Sequence, residues 1–271
     1  MLDSAQAAEH TQSKSENLSG SRPGDKHHST LLIPARVDTP ELLDLGEGTP
    51  DDVKMSLDDL WRINRFFGGV MPITNHLFPR LRRHSGTATV LDVGTGSAQM
   101  AVLIARWAAR NGCSVKVIGL DLASRHLAVA AAFAADTPNV KLLQADALHF
   151  PLKPESVDYV ISSLFLHHFE PEQVISLLRQ TFASARRGVI LSDLERGRLP
   201  LLAFRLMQPI LARSYLTRHD GAASVRRAYT PRELTELARA AGLTNVRVVR
   251  YFPWRMTLVA EKTGVSYDAG V

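Results

Sequence analysis

The stretch Val90-Leu91-Asp92-Val93-Gly94-Thr95-Gly96-Ser97-Ala98 decides the fold, because an apolar run leads directly into a glycine-rich turn. Met100 and Ile104 then recur at helical spacing, which predicts that a helix follows the turn. Gly94 and Gly96 permit backbone conformations, and a close approach of another group, that a side chain would block. A strand, a tight turn and a helix in this order are typical of a ligand site at the end of a parallel sheet.

Strand-like and helical patterns alternate along the chain beyond this turn. Short apolar runs predict strands at 89–93, 115–121, 140–144, 157–163, 188–192, 246–250 and 255–260, and apolar periodicity predicts helices at 99–110, 124–135, 172–185 and 231–241. Such alternation indicates a parallel sheet that is covered by helices on both faces. We therefore expect an α/β fold with a doubly wound, seven-stranded, mostly parallel sheet whose last strand runs antiparallel.

The rest of the sequence suggests how the chain is organised around this sheet. Residues 1–55 begin rich in Ser, His, Gly and charge and are later broken by Pro and Gly, so we predict a disordered tail and a linker. Residues 56–263 form the predicted domain, which opens with two helices in 56–85, the first capped by Ser56. Within it, residues 195–230 form a predicted helical insertion that covers the site. A short tail, 264–271, follows.

Composition restricts the class of protein. The chain has 271 residues, 45% of them hydrophobic, which is enough for a sizeable core. Residues 1–60 carry five Lys and Arg against twelve Asp and Glu, whereas residues 61–271 carry 27 against 15. A basic body can attract nucleic acid, an anionic membrane surface or an acidic small molecule, or it can simply be a solvated face.

Two absences from the sequence add further expectations. Cys113 is the single cysteine, which excludes an internal disulfide and a site with several Cys ligands. We accordingly expect a cytoplasmic location and no bound metal. Because no run of some eighteen apolar residues is uninterrupted, we also expect no membrane span.

Three acids are placed at the ends of three successive predicted strands. Asp92 lies two residues before Gly94, Asp121 ends the second strand, and Asp146 follows the third. Strand ends of this kind meet where open α/β sheets bind ligands. Asp121 is suitably placed to bind ribose hydroxyls and Asp146 to accept from an adenine amino group, which together indicate a nucleoside site. The position of Asp92 and the lack of a third glycine disfavour NAD as the ligand. The alternative to a nucleoside site is that the acids lie on the surface and the glycine-rich turn serves packing only.

These motifs resemble those of the class I S-adenosylmethionine-dependent methyltransferases. The similarity is greatest to the small-molecule branch that contains enzymes of ubiquinone and menaquinone biosynthesis, and it covers about residues 60–262. The run Asp158-Tyr159-Val160-Ile161-Ser162-Ser163-Leu164-Phe165-Leu166-His167-His168 matches the motif after the fourth strand, and Ala98 departs from the usual Gly. The resemblance implies S-adenosylmethionine as cofactor. It assigns to the cofactor site Asp92, Gly94, Thr95, Gly96, Asp121, Leu122, Asp146, Ala147 and Ser163.

Two adjacent histidines follow the fourth predicted strand. In this fold His167 and His168 would face the reaction centre, and histidine titrates in the range that removal of a hydroxyl proton requires. We predict His167 as the general base and His168 as a substrate contact. The alternative is that one caps the next helix while the other packs against the core.

The predicted insertion offers further candidates on the acceptor side. His219 and Asp220 could form a base and its orienting carboxylate, although neighbours in sequence rarely pair this way and Asp220 suits a cap in a turn. Arg227 is predicted either to bind an acidic substrate or to hold Asp220. Tyr229 is a further predicted substrate contact.

The aromatic residues Phe66 and Phe67 end the first predicted helix. They are predicted to wall the acceptor pocket, and packing on the edge of the sheet is the alternative. Because the insertion is apolar, the leading hypothesis is O-methylation of an apolar aromatic, quinone-like or polyketide-like small molecule, as in secondary metabolism. A homodimer is possible.

Two other functions compete with this hypothesis. A nucleic-acid methyltransferase predicts an Asn/Asp-Pro-Pro-aromatic signature after the fourth strand, but residues 162–165 read Ser-Ser-Leu-Phe, so we expect no nucleic-acid partner. The other is a non-catalytic protein that only binds the cofactor. The intact set of predicted cofactor residues argues against it.

Overall fold

The computed structural model describes residues 33–149 and 152–262, and the predicted tails before residue 33 and after residue 263 lie outside them. The strands are β1 Thr87–Val93, β2 Ser114–Asp121, β3 Val140–Gln144, β4 Val157–Ser163, β5 Ala185–Leu194, β6 Val246–Tyr251 and β7 Arg255–Glu261. The helices are α1 Pro50–Phe66, α2 Met71–Arg82, α3 Gln99–Arg110, α4 Ser124–Ala134, α5 Pro171–Ser184, α6 Arg198–Leu211, α7 Tyr215–Arg227 and α8 Pro231–Ala240. Short 3₁₀ turns lie at Ala147–His149 and Leu166–His168.

The strands form one sheet in the order β3-β2-β1-β4-β5-β7-β6. The first five strands along the chain pair in parallel, and β7 runs antiparallel to both β5 and β6. The predicted doubly wound, seven-stranded, mostly parallel sheet is therefore confirmed. The strand order reverses between β1 and β4, and a crevice for a ligand is expected at that point.

Two apolar layers hold the sheet, one on each face. Ile73 and Leu77 of α2 and Ile104 of α3 are completely buried against one face. Leu177 and Leu178 of α5 are buried in the layer on the other face, which α8 also covers. Since each such side chain contributes about 1.5–3 kcal/mol when it is removed from water, these layers fix the sheet on which the site is built.

The first helix begins earlier than the sequence predicted. Thr49 is the N-cap of α1, and it forms a capping box with Asp52 while Pro50 occupies the first turn. Ser56, the predicted cap, is instead buried within the helix, where its Oγ lies 3.1 Å from Oγ1 of Thr217. Both stretches carry cap residues, but only Thr49 precedes a proline that suits the first helical position.

Residues 33–55, predicted as the end of a linker, are an ordered part of the domain. Residues 50–55 already belong to α1, and Leu43 is buried beside it. The backbone amides of Leu42 and Leu43 donate to the carboxylate of Asp220 in α7, at 2.8 and 3.1 Å. Residues 33–49 form neither a helix nor a strand, and contacts with residues that are distant in sequence hold them in place.

Residues 195–230, the predicted insertion, contain the two helices α6 and α7. Helix α7 packs against α1, whereas no residue of α6 is buried. Among the described residues, no helix is both long enough and apolar enough to cross a membrane.

Candidate functional site

A cavity of about 900 Å³ opens at the carboxyl ends of the central strands. It lies at the reversal point between β1 and β4, and its volume falls in the range typical of small-molecule sites. Its walls come from the glycine-rich turn after β1, from the ends of β2, β3 and β4, and from α1, α6 and α7. The cavity thus joins the predicted cofactor residues to the predicted insertion.

The glycine-rich turn follows β1 with an unusual backbone. Gly94, Gly96 and Ala98 all have positive φ, at 70°, 53° and 57°. A Cβ on Gly94 would lie 2.3 Å from the ring of Phe165, so no side chain fits there. The turn can therefore run close beneath the cavity only because glycine occupies this position.

Asp92 lies at the buried end of β1 beside this turn. The Thr95 hydroxyl donates to its Oδ2 at 2.8 Å. Burial raises the pKa of Asp92 to about 7, and the charge of Asp121 acts in the same direction although the bond from Thr95 opposes it. A cationic ligand in the cavity would favour the ionised form of this group.

Asp121 ends β2 and presents its carboxylate to the cavity. Its Oδ2 accepts from the Gly96 amide at 2.9 Å, and its Oδ1 accepts from the Ala123 amide at 3.0 Å. His126 contacts the same Oδ1 through Nδ1 at 3.2 Å. The two amides fix the orientation of the carboxylate and leave lone pairs that can accept from vicinal hydroxyls.

Asp146 follows β3 and lies at the rim of the cavity. Its Oδ1 accepts from the Leu148 amide at 2.8 Å, and His149 Nδ1 lies 2.7 Å from its Oδ2. The hydrogen bond with His149 lowers the pKa of Asp146, so it is an ionised acceptor at neutral pH. The cavity wall also includes Leu122 and Ala147.

Ser163, at the end of β4, lines the same cavity as these acids. Its Oγ accepts from Asn64 Nδ2 of α1 at 3.2 Å. Asn64 and Trp61 also line the cavity. All nine predicted cofactor residues therefore line the same cavity, and Asn64 of α1 adds a partner that the sequence did not predict.

His167 lies between two carboxylates. Its Nδ1 is 2.7 Å from Oδ1 of Asp193 at the end of β5, and its Nε2 is 3.4 Å from Oε1 of Glu41. Burial lowers the pKa of His167, but the charges and hydrogen bonds of the two acids outweigh this effect and raise the pKa to about 10. An imidazolium whose two nitrogens both face acids does not suit the predicted role of general base.

Glu41 belongs to the segment that was predicted as a linker. Burial favours its neutral form, but the charge of His168 and the hydrogen bond with His167 lower the pKa of Glu41 to about 2. The Ser224 hydroxyl of α7 donates to Glu41 Oε1 at 2.7 Å. The cluster therefore joins the linker segment, the sheet and the insertion through one buried charge network.

His168 has a different environment from its neighbour. Its Nδ1 is 2.7 Å from Oδ2 of Asp44, and its ring stacks on His167 with a centroid distance of 4.3 Å. Its backbone carbonyl accepts from Arg227 at 2.5 Å. Because Asp44 engages Nδ1, Nε2 is the nitrogen that an acceptor in the cavity can approach.

The predicted pair of His219 and Asp220 forms, but outside the cavity wall. His219 Nδ1 lies 2.9 Å from Asp220 Oδ1, and the same carboxylate accepts from the Leu42 and Leu43 amides. Neither residue lines the cavity. The pair fastens the N-terminal segment to α7, because the buried carboxylate of Asp220 accepts from backbone donors of that segment.

Arg227 and Tyr229 likewise lie behind the cavity rather than in its wall. Arg227 forms ion pairs with Asp38 and Asp44, at 3.0 and 3.7 Å. The Tyr229 hydroxyl donates to the Phe169 carbonyl at 2.6 Å, and burial raises the pKa of Tyr229. Both residues therefore brace the segment after β4, on which the two histidines lie.

Phe66 and Phe67 do not form the predicted aromatic wall. Phe66 is 72% exposed, and neither residue lines the cavity. The reason is helical phase, because Trp61 and Asn64 occupy the face of α1 that points to the cavity.

A methyltransferase-domain family model matches residues 90–188 of this chain. The chain is 29% identical over 175 residues to the demethylmenaquinone methyltransferase of Geobacillus stearothermophilus. The aligned region covers 59% of this chain and 73% of that protein. It is 38% identical over 69 residues to the 2-phytyl-1,4-naphtoquinone methyltransferase of Thermosynechococcus vestitus. This aligned region covers 26% of this chain and 29% of that protein.

The fold is similar to that of a SAM-dependent methyltransferase from Aquifex aeolicus. The TM-score is 0.54 at 19% identity, over 79% of this chain and 99% of that one. Residues 90–188 thus form a methyltransferase domain, and the fold around them is that of the S-adenosylmethionine-dependent methyltransferases. S-adenosylmethionine is therefore its cofactor.

The donor set of this methyltransferase fits that cofactor. Asp121 offers an oriented carboxylate for a ribose, and Asp146 offers an ionised acceptor at the rim. Asp92 gives the site a titratable negative group near the turn, which suits a ligand that carries cationic centres. Gly94 and Gly96 line the cavity with backbone only, which leaves room for the cofactor.

The role of Asp121 gives a first testable prediction. We expect Asp121→Ala to weaken the binding of S-adenosylhomocysteine at least about tenfold, or about 1.4 kcal/mol, because the carboxylate would no longer accept from the ribose. Isothermal titration calorimetry measures the affinity. Asp136→Ala, which removes an exposed acid from the turn after α4, is the control and should bind as the wild type does. An unchanged affinity of Asp121→Ala would remove this residue from the site.

Glu41, His167 and His168 also form a set that could hold a metal ion, since their ligand atoms lie within 4.8 Å of one another. The proton on His167 already supplies positive charge between Glu41 and Asp193. We therefore expect dialysis of the methyltransferase against a chelator to leave its turnover unchanged. A large loss of turnover that zinc, manganese or magnesium restores would show instead that the set binds a cation.

Proposed function

We propose that this methyltransferase transfers a methyl group to a hydroxyl oxygen of a small, largely apolar aromatic acceptor, such as a phenol, a quinol or an aromatic polyketide. The observation that carries the proposal is the pair of His168 and Asp44 at the acceptor end of the cavity, 2.7 Å apart. A histidine held by a carboxylate is the arrangement that general-base catalysis uses to remove a hydroxyl proton.

The wall around His168 supports an apolar aromatic acceptor. Leu60 and Trp61 of α1, Phe165 after β4 and Phe204 of α6 contribute apolar surface to the same cavity. Two similar proteins are named for methylation of menaquinone-type and naphthoquinone-type compounds. Both observations favour a ring-containing acceptor over a nucleic acid.

The residues of the chain have separable roles in this proposal. The bound cofactor supplies an electrophilic methyl group on a sulfonium. The acids at the strand ends orient that group, and the apolar walls orient the acceptor and exclude water, an effect that can contribute several kcal/mol. His168 Nε2 accepts the proton of the acceptor hydroxyl while Asp44 holds its ring. His167, held between Glu41 and Asp193, fixes the segment on which His168 lies.

A panel of acceptors tests the proposal. Purified methyltransferase is incubated with methyl-labelled S-adenosylmethionine and phenols, quinols or aromatic pyrones, and with transfer and ribosomal RNA as controls. We expect label in at least one phenol or quinol, as an ether, and none in RNA. Label on a ring carbon would exclude O-methylation, and label in RNA would exclude a small-molecule acceptor.

A further inference from the structure

Helix α6 presents an apolar face to solvent. Leu199, Leu202, Leu206 and Ile210 are 56, 54, 68 and 74% exposed, although each is a large aliphatic residue. Their spacing of three or four residues places them on one side of the helix. We call these four residues the α6 ridge. Amphipathic helices ordinarily turn such a face inward, so this one lacks a partner among the described residues.

The opposite side of α6 faces the methyltransferase cavity. Phe204 lines that cavity and packs on Gly221 of α7, where a Cβ would lie 2.0 Å from the ring. Helix α6 therefore separates the acceptor end of the cavity from the α6 ridge. A ligand that rests against the ridge would be one helix diameter from the site.

The charges around the ridge indicate which partner it fits. Residues 196–219 contain five arginines and no aspartate or glutamate. Arg198, Arg205, Arg213 and Arg218 are all exposed. A second copy of this chain, docked through the same ridge, would bring like charges together. An anionic lipid surface would accept the apolar ridge and attract the arginines at the same time.

Exposed aromatic residues lie near both ends of α6. Before its first turn, the amide of Glu195 donates to the carbonyl of Trp254, which is 37% exposed, and the neighbouring Phe252 is 86% exposed. At its other end, Arg62 of α1 donates to the carbonyl of Leu211, and the exposed Phe66 follows one turn later along α1. Aromatic residues at such positions are typical of proteins that rest in a bilayer interface.

We propose that the α6 ridge docks on an anionic lipid bilayer, so that an acceptor with an apolar tail reaches the cavity beneath α6 directly from the lipid. The docking surface rests on the ridge, its arginines and the exposed aromatic residues near both ends of α6. The entry of the acceptor rests on the proposed function. Contact of this kind places the helix along the surface of the bilayer and does not require a spanning segment.

Vesicle sedimentation tests the docking. The full chain is mixed with vesicles of phosphatidylcholine and phosphatidylglycerol in equal parts, or of phosphatidylcholine alone. We expect the wild type to sediment with the mixed vesicles and to be released at high salt, since screening weakens the attraction of the arginines. The double variant Leu206→Glu and Ile210→Glu should lose at least about tenfold in its partition coefficient, or about 1.4 kcal/mol. Phe133→Glu, which alters an exposed residue of α4, should behave as the wild type does.

Three further outcomes would overturn the docking proposal. The wild type could fail to sediment with mixed vesicles, or the ridge variant could sediment equally well. Alternatively, sedimentation velocity without lipid could show a dimer that the ridge variant dissociates, which would make the ridge an interface between copies. Far-UV circular dichroism verifies that the variant is folded, as expected for exposed positions.

An activity measurement separates this proposal from the proposed function. The ridge variant should methylate a water-soluble phenol at the wild-type rate, but it should lose rate with an acceptor that carries a long alkyl tail and is presented in mixed vesicles. An equal rate with the vesicle-bound acceptor would contradict entry from the lipid. If no phenol is methylated but the ridge-dependent vesicle binding persists, the proposed function fails and the docking stands.

Discussion

Replacement of His168 by alanine is expected to lower kcat about 10²- to 10⁴-fold with a phenol as acceptor, the range that general-base catalysis typically contributes. The affinity for S-adenosylhomocysteine should stay near that of the wild type, because His168 is held by Asp44 and Arg227 and not by the acids at the strand ends. Stopped time courses with labelled S-adenosylmethionine give kcat, and calorimetry gives the affinity. An equal loss of both would make His168 a structural residue.

Two controls sharpen this prediction. Phenols with electron-withdrawing groups are ionised at the assay pH and need no base, so the effect of His168→Ala should shrink with them. Asp44→Asn should retain part of the rate, because an amide can still contact Nδ1 but no longer holds the ring of His168 with a carboxylate. A loss of rate that is the same for all acceptors would exclude His168 as the base.

Replacement of His167 by glutamine is expected to lower the free energy of unfolding by about 3–5 kcal/mol at neutral pH, the cost typical of breaking a buried ion pair. The variant would leave Glu41 and Asp193 buried without the cation between them. Urea denaturation followed by circular dichroism measures the change. His149→Gln, at a histidine whose side chain is 86% exposed, is the control, and it should cost no more than about 1 kcal/mol.

The same cluster predicts how stability depends on pH. Because the folded protein raises the pKa of His167 to about 10, its contribution is complete below the unfolded value near 6.5 and is lost as pH rises through about 10. Glu41, whose pKa is lowered to about 2, contributes above about 4.5, and its contribution is lost as pH falls towards 2. The difference in stability between the wild type and His167→Gln should therefore shrink from pH 7 to pH 10. A constant difference would show that His167 is neutral in the folded state.

The sheet could be predicted from the sequence because each strand and helix carries its own periodic signal. The run Val90–Ala98 and the acids Asp121 and Asp146 lie at strand ends, and the parallel order of the strands brings such ends together without further information. The start of α1 could not be predicted in the same way. Two stretches that begin at Thr49 and Ser56 both carry cap residues. The proline after Thr49 favours the first, and the contact of Ser56 with Thr217 of α7 accompanies its burial within the helix.

The roles of the residues at the acceptor end could not be predicted, because they depend on contacts between residues that are distant in sequence. The adjacent histidines were identified, but their roles follow from carboxylates that are distant in sequence. Asp44 is 124 residues away from His168, in a segment whose Pro and Gly content suggested a linker. Asp193 could have been predicted as a site residue from the sequence, because it follows a predicted strand just as Asp146 does.

A crystal structure of the complex with S-adenosylhomocysteine and a phenolic acceptor tests the central claim most directly. We expect both ribose hydroxyls on the carboxylate of Asp121, the adenine beside Asp146, and the acceptor hydroxyl within hydrogen-bond reach of His168 Nε2. A ribose bound away from Asp121, or an acceptor hydroxyl that faces away from His168, would contradict the account.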